Sequence, residues 1–247
     1  MSFPSMQFKT LSVLVSLLLA GALSTAPAMA SYTEGAVSNG GSLKGSVKLS
    51  GSGANANIKV TKDQAACGDS VSNDTLVVGK GNTLANVIVE IQGISKGKKW
   101  DLPAKFTYDQ KKCAFAPHVM IIRPKAEVEV KNSDSVKHNV HTISKGVFNV
   151  NKTVAPGKSL KVKKNKIKKS GTVKVVCDLH SWMGGWWIVA ENPYIAMTDA
   201  SGNFEIKDIP PGKYKVRLWQ EKLGEQIQEV EIKGGAAATL NASMAAK

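Results

Sequence analysis

The sequence predicts an all-β protein built of β-sandwiches. Two patterns in the 247 residues point there. After residue 30, no segment longer than two turns holds apolar residues at the i, i+3, i+4 spacing of a helix. Short runs of alternating apolar and polar residues take its place, bounded by Gly, Asn, Asp and Pro, and their number and spacing suit antiparallel sandwiches. A hydrophobic share of 43% is enough for one or two cores and excludes a disordered chain.

In chain order, the first strand is expected over residues 42–49, where Leu43, Val47 and Leu49 stand apart from Lys44 and Lys48. Further strands are expected over 85–91, 119–122, 126–130, 172–176, 186–189, 204–206 and 214–219. Asp199-Ala200-Ser201-Gly202-Asn203 and Pro210-Pro211-Gly212 are turn signals between the late strands. Gly234-Gly235-Ala236-Ala237-Ala238 reads as a loop before a last short strand, and residues 31–41 read as a flexible lead-in. Trp186 and Trp187 open one strand and must face opposite sides, one toward the core and one toward a neighbour.

The N-terminus has the pattern of a secretory signal. Lys9 is its positive charge, residues 11–23 are an uncharged apolar run, and Ala28-Met29-Ala30 is a small-x-small cleavage pattern. Cleavage after Ala30 is expected to leave a soluble periplasmic protein in an oxidising compartment. No cysteine directly follows the apolar run, so a lipid anchor is not expected, and no later stretch approaches the roughly 20 apolar residues of a membrane span.

The net charge is +14, and it is unevenly spread. Residues 31–103 carry +2, residues 104–190 carry +12, and residues 191–247 carry −1. The densest run holds Lys158, Lys161, Lys163, Lys164, Lys166, Lys168, Lys169 and Lys174. It is either a solvated strand and turn or a docking face for an acidic redox protein or an anionic membrane surface. Export makes nucleic acid a poor partner.

Four side chains suggest metal chemistry. Cys177, His180 and Met183 form Cys-x2-His-x2-Met just after the apolar run Val173 to Val176, and His138 lies in Asn132-Ser133-Asp134-Ser135-Val136-Lys137-His138. A thiolate, two imidazoles and a thioether are the donor set of a mononuclear copper that cycles between Cu(I) and Cu(II). A trigonal site with a weak axial thioether satisfies neither oxidation state fully, so little rearrangement accompanies electron transfer. Zinc fits less well, because a thioether is a poor zinc ligand. His141, three residues after His138, points to the opposite face of a regular strand and is expected to stay off the metal; His118 is expected to be structural.

These motifs resemble the cupredoxins, and the ligand loops resemble those of amicyanin. The likeness rests on His138-Asn139-Val140-His141, on Cys177-Asp178-Leu179-His180-Ser181-Trp182-Met183, on Phe115-Ala116-Pro117 and on the Asn132-Ser133-Asp134 turn. It covers about residues 104–190 and implies a Greek-key sandwich, a domain over 104–192, and one type 1 copper. His138, Cys177 and His180 are implied as strong ligands and Met183 as a weak axial one. It also implies that Asn139 ties the first ligand strand to the cysteine loop by a side-chain hydrogen bond. Leu179 and Ser181 depart from the family, whose loops carry prolines there. The freed N–H groups are expected to donate to the Cys177 sulfur and raise the reduction potential. Trp182 either packs over the loop or forms an exposed patch around His180 through which electrons leave.

Cys67 and Cys113 remain, and an oxidising compartment makes them disulfide partners. The segment Thr198-Asp199-Ala200-Ser201-Gly202-Asn203-Phe204, followed by Pro211-Gly212-Lys213-Tyr214, resembles the carboxypeptidase regulatory-like (prealbumin-like) sandwich. Too few residues follow 193 for a whole domain of that kind. A split domain is therefore expected, residues 42–103 plus 193–247, with the metal sandwich inserted; the alternative is one extended cupredoxin with a small appendage. This pairing is similar to secreted methylamine-utilisation-type proteins. The function expected is single-electron transfer, with a copper carrier or storage protein, or a cell-surface interaction module with a structural metal, as rivals. An enzyme is not expected, since four protein ligands leave no open metal position and no catalytic triad or carboxylate pair is evident.

Overall fold

In a computed structural model of the chain, residues 32–53 and 56–245 are described, together with Met1. The expected signal segment, residues 1–30, lies outside them. The described chain is almost entirely β, its one α-helix being the single turn Gln64–Cys67. Two sandwiches account for nearly all of its strands.

The first sandwich spans residues 105–189. One sheet has the order Ser159–Val162, Glu127–Asn132, Lys105–Lys111, Ala114–Ala116. The facing sheet runs Asn151–Val154, His138–Ile143, Gly171–Val176, Gly184–Val189, Val119–Ile122. Alternation decides which side chains enter the core. Val128 and Val130 of one sheet meet Val140, Val173, Val175 and Trp187 of the other in a shared cluster.

The second sandwich combines strands from both flanks. Ile88–Ile91 pairs with Ile195–Met197 on one side and with Gly212–Gln220 on the other. Gly41–Leu49 pairs with Asn203–Ile209, Ala237–Thr239 and Ala242–Met244. Its own cluster holds Leu43, Val47, Val89, Ile91, Phe204, Ile206, Val216 and Leu218. Two stretches depart from the sequence expectation. Residues 32–35 are tied down rather than loose: Thr33–Glu34 pairs with Lys96–Gly97, and the Tyr32 hydroxyl donates to Lys98 O at 2.6 Å. Residues 58–71, which fall inside the 42–103 segment, pack on the first cluster through Val60, Cys67 and Val71, because the Cys67–Cys113 disulfide anchors them there.

The sandwiches meet sheet against sheet. Val119, Ile121, Trp186 and Ile188 face outward from the five-stranded sheet and pack on Ile88, Ile195 and Trp219. Trp187 is the core member of the tryptophan pair, while Trp186 stacks edge-on to Trp219 with ring centroids 5.1 Å apart. Glu221 accepts the Trp186 indole N–H at 2.8 Å with one carboxylate oxygen and pairs with His118 through the other. His118 is thus a fastener between the sandwiches.

Gly45 shows how closely the first strand lies against the chain's end. A Cβ added there would sit 1.7 Å from Leu240 O, a backbone atom that cannot swing aside. Gly45→Ala is expected to destabilise the protein by about 3 kcal/mol, read as a lower urea midpoint with an unchanged m-value.

Candidate metal centre

The site forms at one end of the first sandwich, where three strand ends converge. His138 opens the strand His138–Ile143, Cys177 follows the strand Gly171–Val176, and residues 178–183 return the chain to Gly184–Val189. The return is a tight double turn. His180 N–H donates to Cys177 O at 3.3 Å, Met183 N–H to His180 O at 2.9 Å, and Cys177 N–H to Met183 O at 3.2 Å. Three of the sequence-predicted residues are thereby fixed on one short loop.

His138, His180 and Cys177 each bring a ligand atom within 4.8 Å of the other two, and all three residues are buried. The two Nδ1 atoms are 3.0 Å apart, and His180 Nδ1 is 3.7 Å from the sulfur. Met183 is buried in the hydrophobic core that also takes in Cys177.

The far nitrogens determine what the near ones can do. His138 Nε2 lies 2.8 Å from Asp134 Oδ2, and His180 Nε2 lies 2.8 Å from Asp63 Oδ2. A carboxylate only accepts, so each ring places its N–H on Nε2 and presents a lone pair at Nδ1. On two neutral rings the lone pairs face each other at 3.0 Å beside a sulfur, a contact that a shared proton or a metal cation between them relieves. The spacing also suits one, because nitrogens held about 2.0 Å from a common ion lie about 3–3.5 Å apart. The residues present fit a single soft-to-borderline metal ion. Burial pushes the His138 pKa below the ordinary imidazole range, against the pull of Asp134.

Asp134 reaches its place through local sequence. Asn132 is buried; its amide donates to Val136 O at 2.8 Å and Val154 O at 2.9 Å, and its oxygen accepts Asp134 N–H at 3.0 Å. Asp134 then accepts Lys112 N–H at 2.6 Å and Cys113 N–H at 2.8 Å as well as the His138 ring. Lys112 and Cys113 both have positive φ, which turns their N–H groups toward the carboxylate.

Asn139 Oδ1 accepts Asp178 N–H at 3.2 Å, so its side chain joins the histidine strand to the cysteine loop. Its amide donates to Asn151 Oδ1 at 2.6 Å, and Asn151 donates to Asp178 Oδ2 at 3.0 Å. His141 points away from the cluster and pairs with Asp178 Oδ1 at 2.9 Å; that bond and the one from Asn151 hold the Asp178 carboxyl below its usual range.

Two expectations are corrected. Among the described hydrogen bonds, the backbone donor to the Cys177 sulfur is Asn139 N–H at 3.2 Å, rather than Leu179 or Ser181. The histidine strand lies directly alongside the sulfur, whereas Leu179 turns outward and is 37% exposed. Trp182 does not stand free around an exposed His180. It is half-buried, its indole N–H donates to Cys113 O at 3.1 Å, and its ring lies 5.1 Å from a His180 ring that is itself buried. Cys67 and Cys113 are joined in a disulfide, and Cys177 is a free, buried thiol. Asp63 was missed, having no local signal 117 residues before His180. Asp134 had one in the Asn132-Ser133-Asp134 turn.

A family model described as polysaccharide lyase family 4, domain II matches residues 166–240. A search of curated proteins finds no match. Among solved structures, the chain is similar to a copper-containing nitrite reductase from Thermus scotoductus SA-01, with 22% identity and a TM-score of 0.33 over 36% of this chain and 23% of that one. It spans under a quarter of that enzyme. It is also similar to a purple cupredoxin from Nitrosopumilus maritimus, with 25% identity and a TM-score of 0.27 over 31% of this chain and 81% of that one. An amicyanin from Paracoccus versutus gives 18% identity and a TM-score of 0.31 over 41% of this chain and 96% of that one.

Asn132→Ala removes three hydrogen bonds and leaves the Val136 and Val154 carbonyls without its amide, the second of them buried. It is expected to lower the stability of the metal-free protein by about 3 kcal/mol, measured by urea unfolding.

Proposed function

We propose that this chain is a periplasmic mononuclear copper protein of cupredoxin type that accepts and passes single electrons. The observation that carries the reading is the convergence of His138 Nδ1, His180 Nδ1 and Cys177 Sγ, with both Nε2 atoms already committed to carboxylates. Met183, buried in the hydrophobic core that also takes in Cys177, would supply the fourth, thioether donor. A copper bound there supplies a one-electron couple whose two states the soft sulfur and the imidazoles can both tolerate. The protein's part is to hold the donors still: Asp134 and Asp63 fix the rings, Asn139 fixes the loop, and Asn139 N–H steadies the sulfur. With four protein donors no position stays open for substrate, so the role is transfer rather than catalysis. The deep burial of the donors favours a resident ion over one handed on by a carrier.

The mature protein loaded with Cu(II) should show intense visible absorption from the copper–thiolate bond and reversible one-electron voltammetry. Cys177→Ser should abolish the colour while the fold persists. A colourless wild-type protein after loading under oxidising conditions ends the reading.

The lysine run suggests the partner at the opposite end. Strand directions put Lys163, Lys164, Lys166, Lys168 and Lys169 at the pole remote from the donors, where Lys125 N–H donates to Ile167 O at 2.6 Å. All five are exposed. A redox protein docked there is separated from the donors by the length of the sandwich, whereas an anionic membrane surface bound there leaves the metal end free. Vesicles rich in phosphatidylglycerol should bind the protein at low salt and release it as the Debye length falls from about 10 Å at 0.1 M toward about 3 Å at 1 M. Zwitterionic vesicles should not bind it, and changing Lys163, Lys164 and Lys166 to Glu should abolish sedimentation with the anionic ones.

A further inference from the structure

A segment well upstream of the first sandwich in the chain closes the donor pocket. Residues 58–71 form a small hairpin, Ile58–Lys59 against Ser70–Val71, with the turn Gln64–Cys67 between. Val60, Cys67 and Val71 are buried in the same cluster as Cys177 and Met183. Asp63 begins the helical turn in the left-handed region, at φ 54°, and its side chain makes no capping bond to that turn. Its carboxylate goes to His180 Nε2 instead. The His180 side chain has 0% exposure and that of Asp63 has 37%, so the carboxylate stands between the ring and water.

This closure is stapled. Cys67 is bonded to Cys113, whose N–H donates to Asp134, and Asp134 holds His138. An unbroken circuit therefore runs from His138 through Asp134, Cys113, Cys67 and Asp63 to His180, partly covalent and partly hydrogen-bonded. Both imidazoles are held from behind by carboxylates that one disulfide connects.

We propose that Asp63 is a positioning residue that aims His180 Nδ1 at Cys177, and that the stapled segment carrying it seals the pocket, so that Cys177 is reached only when the segment lifts. The positioning half rests on the metal reading above; the sealing half is independent of it.

The test uses the oxidised, metal-free protein, in which Cys177 is the sole free thiol. Its rate of reaction with dithionitrobenzoate reads the opening directly: the Cys177 thiolate attacks the reagent's disulfide, a mixed disulfide forms, and nitrothiobenzoate leaves. Asp63→Ala and the double variant Cys67→Ser/Cys113→Ser are expected to react about tenfold faster or more than wild type, the factor that losing a charge-assisted hydrogen bond gives. Asp63→Asn is expected to stay near the wild-type rate, because its side-chain oxygen still accepts the Nε2 proton. In copper-loaded protein, Asp63→Ala should shift the reduction potential, and Asp63→Asn, which keeps the acceptor but not the charge, should recover the part of the shift that comes from ring orientation. Unchanged labelling in both Asp63→Ala and the double variant overturns the seal. An Asn variant that labels as fast as Ala overturns the positioning role, since that variant keeps the fold and the acceptor. The expected labelling pattern in a protein that takes up no copper supports the seal and sinks the copper reading.

Discussion

Two buried imidazoles have each given their N–H to a carboxylate, and the arrangement of the metal end follows from that. Once Nε2 is committed on two neutral rings, the Nδ1 atoms have only lone pairs to offer, and the fold holds those lone pairs 3.0 Å apart next to a sulfur. In water the rings would turn away from each other. Here neither can, because Asp134 and Asp63 are themselves held, one by two backbone N–H groups and the other by a disulfide-anchored turn. The repulsion is a preorganisation cost borne by the scaffold, and a cation in the gap removes it.

The strand Gly184–Val189 links this end to the rest of the molecule. It receives the chain directly from the donor loop, sends Trp187 into the core, and turns Trp186 toward the second sandwich. Glu221 then takes both the Trp186 indole N–H and His118, so a carboxylate from one sandwich grips two groups of the other. The buried apolar contact between Ile88, Val119 and Ile188 adds to that grip.

Much of this was legible in the sequence because it is local. Alternation places the inward valines, and a period of two sends Trp186 and Trp187 to opposite faces. The spacing of Cys177, His180 and Met183 requires one tight turn, and the pairing of Cys67 with Cys113 follows from compartment and count. What stayed hidden is long-range. Nothing near Asp63 in the sequence indicates that it meets His180, and the alternating pattern cannot show that residues 58–71 leave their neighbours to cover the other sandwich. The sulfur's donor was misplaced for a similar reason. Losing proline at Leu179 and Ser181 frees N–H groups, but which N–H lies beside Cys177 is set by the register of an adjacent strand, and that strand brings Asn139. The lysine run shows a charge without an address until strand direction assigns it a pole.

The carboxylates also set the sign of the electrostatics around an ion in this pocket. A hydrogen bond from Nε2–H to an anion makes the imidazole a stronger donor, and two nearby negative charges stabilise the more highly charged oxidised state. If the ion is the proposed copper, both effects would lower its reduction potential. Asn139 N–H on the sulfur works the other way by drawing density from the thiolate, and so does burial, which disfavours the state of greater charge. The two groups of effects differ in exposure. The sulfur and both rings are shielded from solvent, whereas Asp63 is partly open to water and its charge is correspondingly screened. Asp134, with a side chain only 9% exposed, is the less screened of the two carboxylates and the stronger influence. The histidine from the strand, rather than the one from the loop, is therefore the ring through which the fold would most strongly favour the more highly charged state of a bound ion.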